Sequence, residues 1–265
     1  MEQSDVKIIN TERLSSDIVR FTLHAPMIAA TAEPGQFINM QVSQGYDPLL
    51  RRPFSINQIH ADGTVQVIFK ILGKGTNALA KLQRGQSVNI VGPLGSHFKT
   101  GKSMCLVGGG LGIAPLLFLA KSLLGKAKND PALTLKIILA ARNREELSCF
   151  TPGFEALGVT LHLATDDGSL GHHGQATALF PSVLDEAVDW QVCTCGPYPM
   201  MRAVAAICRE HRWPCQVSLE TMMACGISAC LGCAIAASDN DSDGRKYLHV
   251  CKDGPIFEEG DIKWT

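Results

Sequence analysis

Four cysteines constrain this 265-residue chain more than any other feature. They stand as Cys225-x4-Cys230-x2-Cys233, then seventeen residues, then Cys251. That order matches plant-type [2Fe–2S] ligation. Four thiolates must converge on two irons, so the backbone between them has to wrap tightly while its N–H groups donate to sulfur. The small residues Gly226, Ser228, Ala229 and Gly232 suit that wrapping. A zinc ribbon is the competing reading, but zinc sites favour paired spacings at both ends, and Cys251 stands alone. The spacing favours the iron–sulfur site. The chain has ten cysteines, and the other six (Cys105, Cys149, Cys193, Cys195, Cys208 and Cys215) are scattered through largely apolar segments. They read as small buried hydrophobes.

The opening MEQSDVKIIN is polar and lacks the apolar core of a signal peptide, which predicts a cytoplasmic protein with reduced thiols. With 24 Lys+Arg against 25 Asp+Glu and no basic block, the chain does not read as a nucleic-acid binder. Its 46% apolar content excludes disorder. The uncharged stretch Met104–Ala120 is too short for a membrane span and carries four glycines and Pro115. A buried strand, a glycine turn and a buried helix are expected there, and no membrane.

Residues 1–98 read as β structure. Ile18–Leu23, Gln36–Val42, the alternating run around Val65–Ile71, and Ser87–Val91 are strands with Gly/Pro punctuation, predicting a small antiparallel barrel. Only Asn77–Leu82 looks helical in that part. After Gly101, strands at Met104–Val107, Leu133–Ala140, Val159–Ala164, Gln191–Cys195 and Gln216–Leu219 alternate with helical patterns at Ile113–Leu124 and Pro197–His211. Alternation of that kind predicts a parallel sheet with helices on its faces. The expected architecture is a multidomain β plus α/β chain, divided at 1–98, 99–218 and 219–265.

Two further motifs carry chemistry. Gly108-Gly109-Gly110-Leu111-Gly112 joins the first strand of the sheet to its helix, where backbone N–H groups can meet a pyrophosphate. It is not a strict G-x-G-x-x-G, because Pro115 takes the third position, and a tight turn without ligand is the alternative. Arg51-Arg52-Pro53-Phe54-Ser55-Ile56 puts two arginines on a strand edge, either for an anion such as phosphate or as a solvated basic turn. Asp239–Gly244 copies half of an EF-hand loop, but Val250 stands where its Glu should be, so a polar turn is expected instead. His172 and His173 read as exposed, and Asp166 and Asp167 as either ribose contacts or a turn.

Together these motifs resemble the ferredoxin–NADP reductase superfamily. Ser218–Ile227 and Val250–Phe257, with Gly92-Pro93-Leu94-Gly95 and Thr165–Ser169, make the whole chain similar to the electron-transfer subunits of NAD-dependent (class 1B) dihydroorotate dehydrogenases. The resemblance implies FAD contacts from Arg52, Pro53, Phe54 and Ser55, from Phe69, Lys70 and Ile71, and from Gly75 and Thr76. Arg52 would meet the FAD pyrophosphate and Ser55 would lie near the flavin ring. Lys70 replaces the usual arginine of its segment, and Ser96-His97-Phe98 is one residue shorter than the usual sequence. The resemblance also implies NAD pyrophosphate contacts from Gly108, Gly109 and Gly110. Cys195 would stand near the nicotinamide, with a buried cysteine at a strand end as the alternative. Cys225, Cys230, Cys233 and Cys251 would hold the cluster.

The implied activity is an electron relay in pyrimidine biosynthesis. A partner subunit with FMN would oxidise dihydroorotate, and electrons would pass through [2Fe–2S] and FAD to NAD+. The implied assembly is a heterotetramer with two subunits of each kind, docked through the cluster loop at Ile227 and Leu231. Two other functions fit the motifs less well: a related flavin/iron–sulfur NAD(P)H reductase serving ferredoxin or a sulfur compound, and a zinc-holding binding module.

Overall fold

A computed structural model describes residues 1–128, 130, 132–239 and 243–264. Six strands, β1 (Glu2–Arg13), β2 (Ile18–His24), β3 (Phe37–Met40), β4 (Arg52–Ile59), β5 (Thr64–Lys70) and β6 (Ser87–Leu94), close an antiparallel barrel in the order β1-β2-β5-β4-β3-β6. Closure leaves no edge to aggregate. The inward positions, among them Phe21, Ile38, Ile56, Val67, Phe69 and Ile90, form one apolar core. A short helix α1 (Pro26–Thr31) adds Ile28 to that core, and α2 (Lys74–Leu79) follows β5.

Where only Asn77–Leu82 is expected to be helical, α1 is an added helix and α2 begins earlier, at Lys74; the strands differ from expectation in three places. β1 is its longest strand, yet only Val6 and Ile8 of its twelve residues are buried, so a mostly polar string hides it. In β5 the outward Ile68 is also buried, because that face packs on the second domain. β6 continues through Gly92 and Pro93 to Leu94 instead of stopping at them.

The second domain is a sheet of β7 (Ser103–Gly109), β8 (Thr134–Ala141), β9 (Leu161–Thr165), β10 (His172–His173), β11 (Gln191–Cys195) and β12 (Cys215–Ser218). These strands run parallel, and a further strand contributed from beyond the cluster loop pairs antiparallel with β12. Its order is β10-β9-β8-β7-β11-β12 and then that strand, so the connections reverse direction between β7 and β11. Open sheets of this kind bind ligands in the crevice at the carboxyl ends of the strands flanking such a reversal. Met104–Val107 in β7 are buried on both faces, as the continuous apolar run requires.

Helix α3 (Ile113–Ala127) enters from a 3-10 turn at Gly110–Gly112. Among the described residues, Gly110–Ala127 is the one helix long and apolar enough to cross a membrane. Here the helix joins the two domains. Leu116 and Leu119 pack in the core of the sheet domain, Phe118 enters the barrel core, and Asn57 Nδ2 donates to the Ala114 carbonyl at 2.6 Å. Its first eight residues, Ile113–Ala120, are apolar and buried on every side, as a helix between two cores requires. Short helices α4 (Arg144–Ser148), α5 (Thr151–Glu155) and α6 (Phe180–Val183) and the longer α7 (Tyr198–His211) complete this layer.

Beyond β12 the chain forms the cluster loop, then a hairpin of β13 (Ala234–Ala236) and β14 (Tyr247–His249), then β15 (Ile256–Glu258), the antiparallel strand of the sheet. The hairpin explains the long gap before the fourth cysteine. Ala234 pairs with His249, which brings Cys233 and Cys251 together from opposite strands. Within the Asp239–Gly244 run, Asn240, Asp241 and Ser242 lie outside the described residues.

Candidate flavin, nucleotide and iron–sulfur sites

Two cavities meet at the junction of barrel and sheet. One, of about 190 Å³, is walled by Pro53, Phe54 and Ser55 of β4, by Ile68, Phe69 and Lys70 of β5, and by Thr76. α3 closes it with Ala114 and Pro115, the end of β12 with Ser218, and the chain beyond with Leu219, Glu220, Thr221 and Met223. Phe54 and Phe69 lie 5.2 Å apart between centroids, so the floor is aromatic. Thr221 Oγ1 is buried without a hydrogen-bond partner, an orphaned group of the kind a polar ring edge would satisfy.

Arg52 stands outside this floor, its Nη1 donating to the carbonyls of Leu50 at 2.8 Å and Arg51 at 3.1 Å. Gly75 lies against its guanidinium: a Cβ there would meet Arg52 Nε at 3.3 Å. Thr76 Oγ1 accepts from the N–H groups of Leu72 and Gly73, which orders the turn between β5 and α2. Ile71 continues β5 without lining the cavity. These residues present a flat apolar slot with a cation at its outer end, which fits a flavin and its pyrophosphate.

The second cavity, about 750 Å³, runs along the carboxyl ends of β7, β8 and β11. Gly109, Gly110 and Gly112 line it together with Gly196 and Pro197, while Gly108 stands behind them, packed on Ile113 and Leu116. Gly112, the last glycine of the turn, has a packing role. A Cβ there would lie 2.5 Å from the backbone of Cys195 and Gly196, so only glycine lets the two strand ends approach. Cys195 does not line either cavity. It is buried in the core of the sheet domain, and burial pushes its thiol far up.

Three charges of this cleft, Lys70, Arg142 and Glu146, are already paired. Lys70 Nζ lies 3.1 Å from Asp17 and 3.5 Å from Glu146, tying barrel to sheet domain, and Arg142 Nε lies 3.2 Å from Glu146. Burial alone would raise the Glu146 carboxyl, but hydrogen bonds and charge from Arg142 and the charge of Lys70 hold it below the ordinary range. Asp166 also lines the cleft, while His172 and His173 are exposed at the sheet edge. The two cavities share Lys70, Leu72, Leu111 and Glu220. Glu220 faces their open junction, yet surrounding protein strips its solvation and raises its carboxyl.

The cysteine loop follows two residues after Met223. Backbone N–H groups of Ile227, Ala229 and Cys230 approach Cys225 Sγ at 3.5, 3.3 and 3.4 Å. Those of Ser228, Gly232 and Cys251 approach Cys251 Sγ, Cys230 Sγ and Cys233 Sγ at 3.2, 3.4 and 3.4 Å. Burial opposes ionisation of Cys225, but these donors bring its thiol down to about 6. Cys251 moves the other way, to about 12, through burial and the neighbouring Cys233, whose Sγ is 3.3 Å away. Donation from six N–H groups to four sulfurs suits thiolates that carry the charge of a metal cluster. Gly226, Ser228 and Leu231 take positive φ to turn those groups inward.

A flavin slot, a dinucleotide cleft and a four-thiolate loop on one chain define an oxidoreductase of the flavin and iron–sulfur class. Residues 5–98 match the family profile described as an oxidoreductase FAD-binding domain, and residues 220–263 match the iron–sulfur cluster binding domain of dihydroorotate dehydrogenase B. The chain is 35% identical to the dihydroorotate dehydrogenase B (NAD(+)) electron transfer subunit of Enterococcus faecalis and 33% identical to that of Desulforamulus reducens. Each alignment covers 98% of both proteins. Among solved structures it is similar to a chain of an NADH-dependent reduced ferredoxin-NADP oxidoreductase studied for flavin-based electron bifurcation, with a TM-score of 0.83 and 27% identity over 98% of this chain and 90% of that one. The chain belongs to the family of dihydroorotate dehydrogenase B electron transfer subunits.

Proposed function

We propose that this chain carries electrons between a dihydroorotate-oxidising partner and NAD+, in the pyrimidine pathway that its family's name implies. One observation carries the reading: a single flavin slot touches both other sites. It shares four residues with the nucleotide cleft, and its wall from Ser218 to Met223 runs directly into Cys225. Nicotinamide exchanges a hydride and a [2Fe–2S] cluster single electrons, so the flavin between them supplies the conversion, while the protein binds, orients and tunes.

In this reading Arg52 holds the FAD pyrophosphate, Pro53, Phe54, Ser55, Phe69 and Lys70 surround the ring system, and Ile71 supports them by packing on the barrel core. Gly75 and Thr76 shape the turn that receives the phosphates, and Gly109 and Gly110 receive the NAD pyrophosphate with Gly108 packed behind them. Cys225, Cys230, Cys233 and Cys251 hold the cluster. Cys195 acts from behind the nicotinamide wall, by packing. The functional division runs 1–98, 99–218 and 219–265. The partner is an FMN-containing catalytic subunit in a cytoplasmic assembly of two subunits of each kind, and exposed Ile227 and Leu231 mark its docking face.

The test is co-expression with a candidate FMN subunit, followed by NAD+ reduction on addition of dihydroorotate and by the visible spectrum of the complex. NADH formation that needs both chains supports the reading. The likeness to the bifurcating oxidoreductase favours a second reading, a reductase serving another acceptor. A stable complex with an FMN protein that leaves dihydroorotate untouched would turn the assignment to that one. A colourless, zinc-containing protein would overturn both.

A further inference from the structure

Asn39 sits on β3 in the barrel, 186 residues before the first cluster cysteine. Its side chain is fully buried, and its Nδ2 donates to the carbonyl of Cys225 at 2.8 Å. The other end of the amide, Oδ1, is buried without a partner. An amide placed in an apolar wall with half its capacity unmet is unfavourable for the barrel itself, so the donor end is what accounts for it. The loop is shaped to receive that donor. Gly226 has φ +70°, and a Cβ on it would lie 2.6 Å from Asn39 Nδ2 and 3.2 Å from its Cγ. The Cys225–Gly226 peptide is therefore pressed flat against Asn39 as the chain turns left-handed. Directly beyond that turn, the N–H groups of Ile227, Ala229 and Cys230 converge on Cys225 Sγ.

We propose that Asn39 is a positioning residue for the iron–sulfur cluster: by holding the Cys225 carbonyl it fixes the turn that aims three N–H groups at the Cys225 sulfur. The inference rests on reading the four cysteines as cluster ligands. Groups that orient a ligand and donate to its sulfur govern metal affinity and reduction potential. Released from Asn39, the turn relaxes, fewer N–H groups reach the sulfur, and the reduced, more negative cluster loses stabilisation. The potential then falls and the cluster becomes labile.

The experiment uses the full chain, loaded with flavin and cluster, carrying Asn39→Ala and, separately, the smaller change Asn39→Ser. Flavin content and NADH-to-dye reduction report the barrel and nucleotide cleft. EPR of the reduced cluster, its midpoint potential by redox titration and the rate of iron release to a chelator report the loop. Parental flavin content and dye reduction are expected, with shifted g values, a more negative potential and iron release roughly tenfold faster. Gly226→Ala pushes on the same contact from the other side, so its effect should combine with Asn39→Ala less than additively. Parental g values, potential and iron release in a variant that keeps its flavin overturn the proposal. Joint loss of flavin and cluster in both Asn39 variants overturns it too, because Asn39 would then be serving the barrel. A parent protein without any cluster signal instead overturns the ligand reading beneath it.

Discussion

The glycine turn after β7 and the cysteine loop after β12 both offer backbone N–H groups to an anionic ligand, and they are held in opposite ways. The first is built into the core. Gly108 packs on Ile113 and Leu116, Gly109 on Met200 and Pro197, and Gly112 on the backbone of Cys195 and Gly196. Its shape follows from close contacts of its glycines with neighbouring side chains and backbone. The cysteine loop lies at the surface. Cys230 and Leu231 are exposed, Ser228 and Leu231 hold positive φ without being glycine, and most of its ordered contacts are N–H groups directed at sulfur. Non-glycine residues in that conformation are costly and persist where their surroundings over-determine them. One loop is shaped throughout by packing, the other largely by N–H groups turned toward its cysteine sulfurs.

The contrast can be broken in four ways. The largest effect is expected from Cys230→Ser, which should abolish the cluster's visible and EPR signals while NADH-to-dye reduction continues. A normal cluster spectrum in that variant would remove Cys230 from the ligand set. Next is Gly112→Ala, whose added methyl has no room. It should cost about 1–3 kcal/mol of stability, read as a lowered Tm, together with a raised KM for NADH. Gly232→Ala in the cysteine loop meets only Cys230 Sγ, at 3.5 Å, and should change stability by less than about 0.5 kcal/mol. Equal sensitivity of the two glycines would erase the distinction.

Arg52→Ala comes third, with FAD retention weakened about tenfold, or ~1.4 kcal/mol, measured as flavin lost on dialysis. Unchanged flavin content would reject the pyrophosphate contact. The smallest effect concerns the ion pairs spanning the domains. Glu146 is held below the ordinary carboxylate range, so the stability from its pairing with Lys70 and Arg142 is fully present at neutral pH. It is lost as pH falls through that lowered value. Lys70→Met should cost under about 1 kcal/mol near neutrality, and the difference from the parent should vanish in acid. A difference that grows with acidification would contradict this sign.

Legibility follows the same division. Strand β11 falls where its apolar run predicts, and β7 and α3 bracket the glycine turn as expected, because burial on both faces writes continuous apolar runs into the chain. The cysteine spacing is equally direct, since ligand chemistry dictates it. β1 escapes detection because a barrel strand needs only its inward residues apolar, and here two suffice. Ile68 breaks the alternation of β5 because a second domain covers the outer face, which no local pattern records. Asn39, Gly112, Glu220 and Thr221 owe their importance to neighbours distant in sequence. A glycine directly after the first cysteine was the one local hint of a close approach, and nothing in it names Asn39.

β15 has a consequence for the order in which the molecule is made. It completes the sheet by pairing with β12, and beside it Pro255 and Ile256 press on Gly95 and Gly35 of the barrel. The ribosome delivers these residues only after every cysteine of the loop has emerged. Until they are made the sheet has an open edge at β12 and the barrel an uncovered seam, so the last contacts between barrel and sheet form only after every cysteine of the loop has been synthesised.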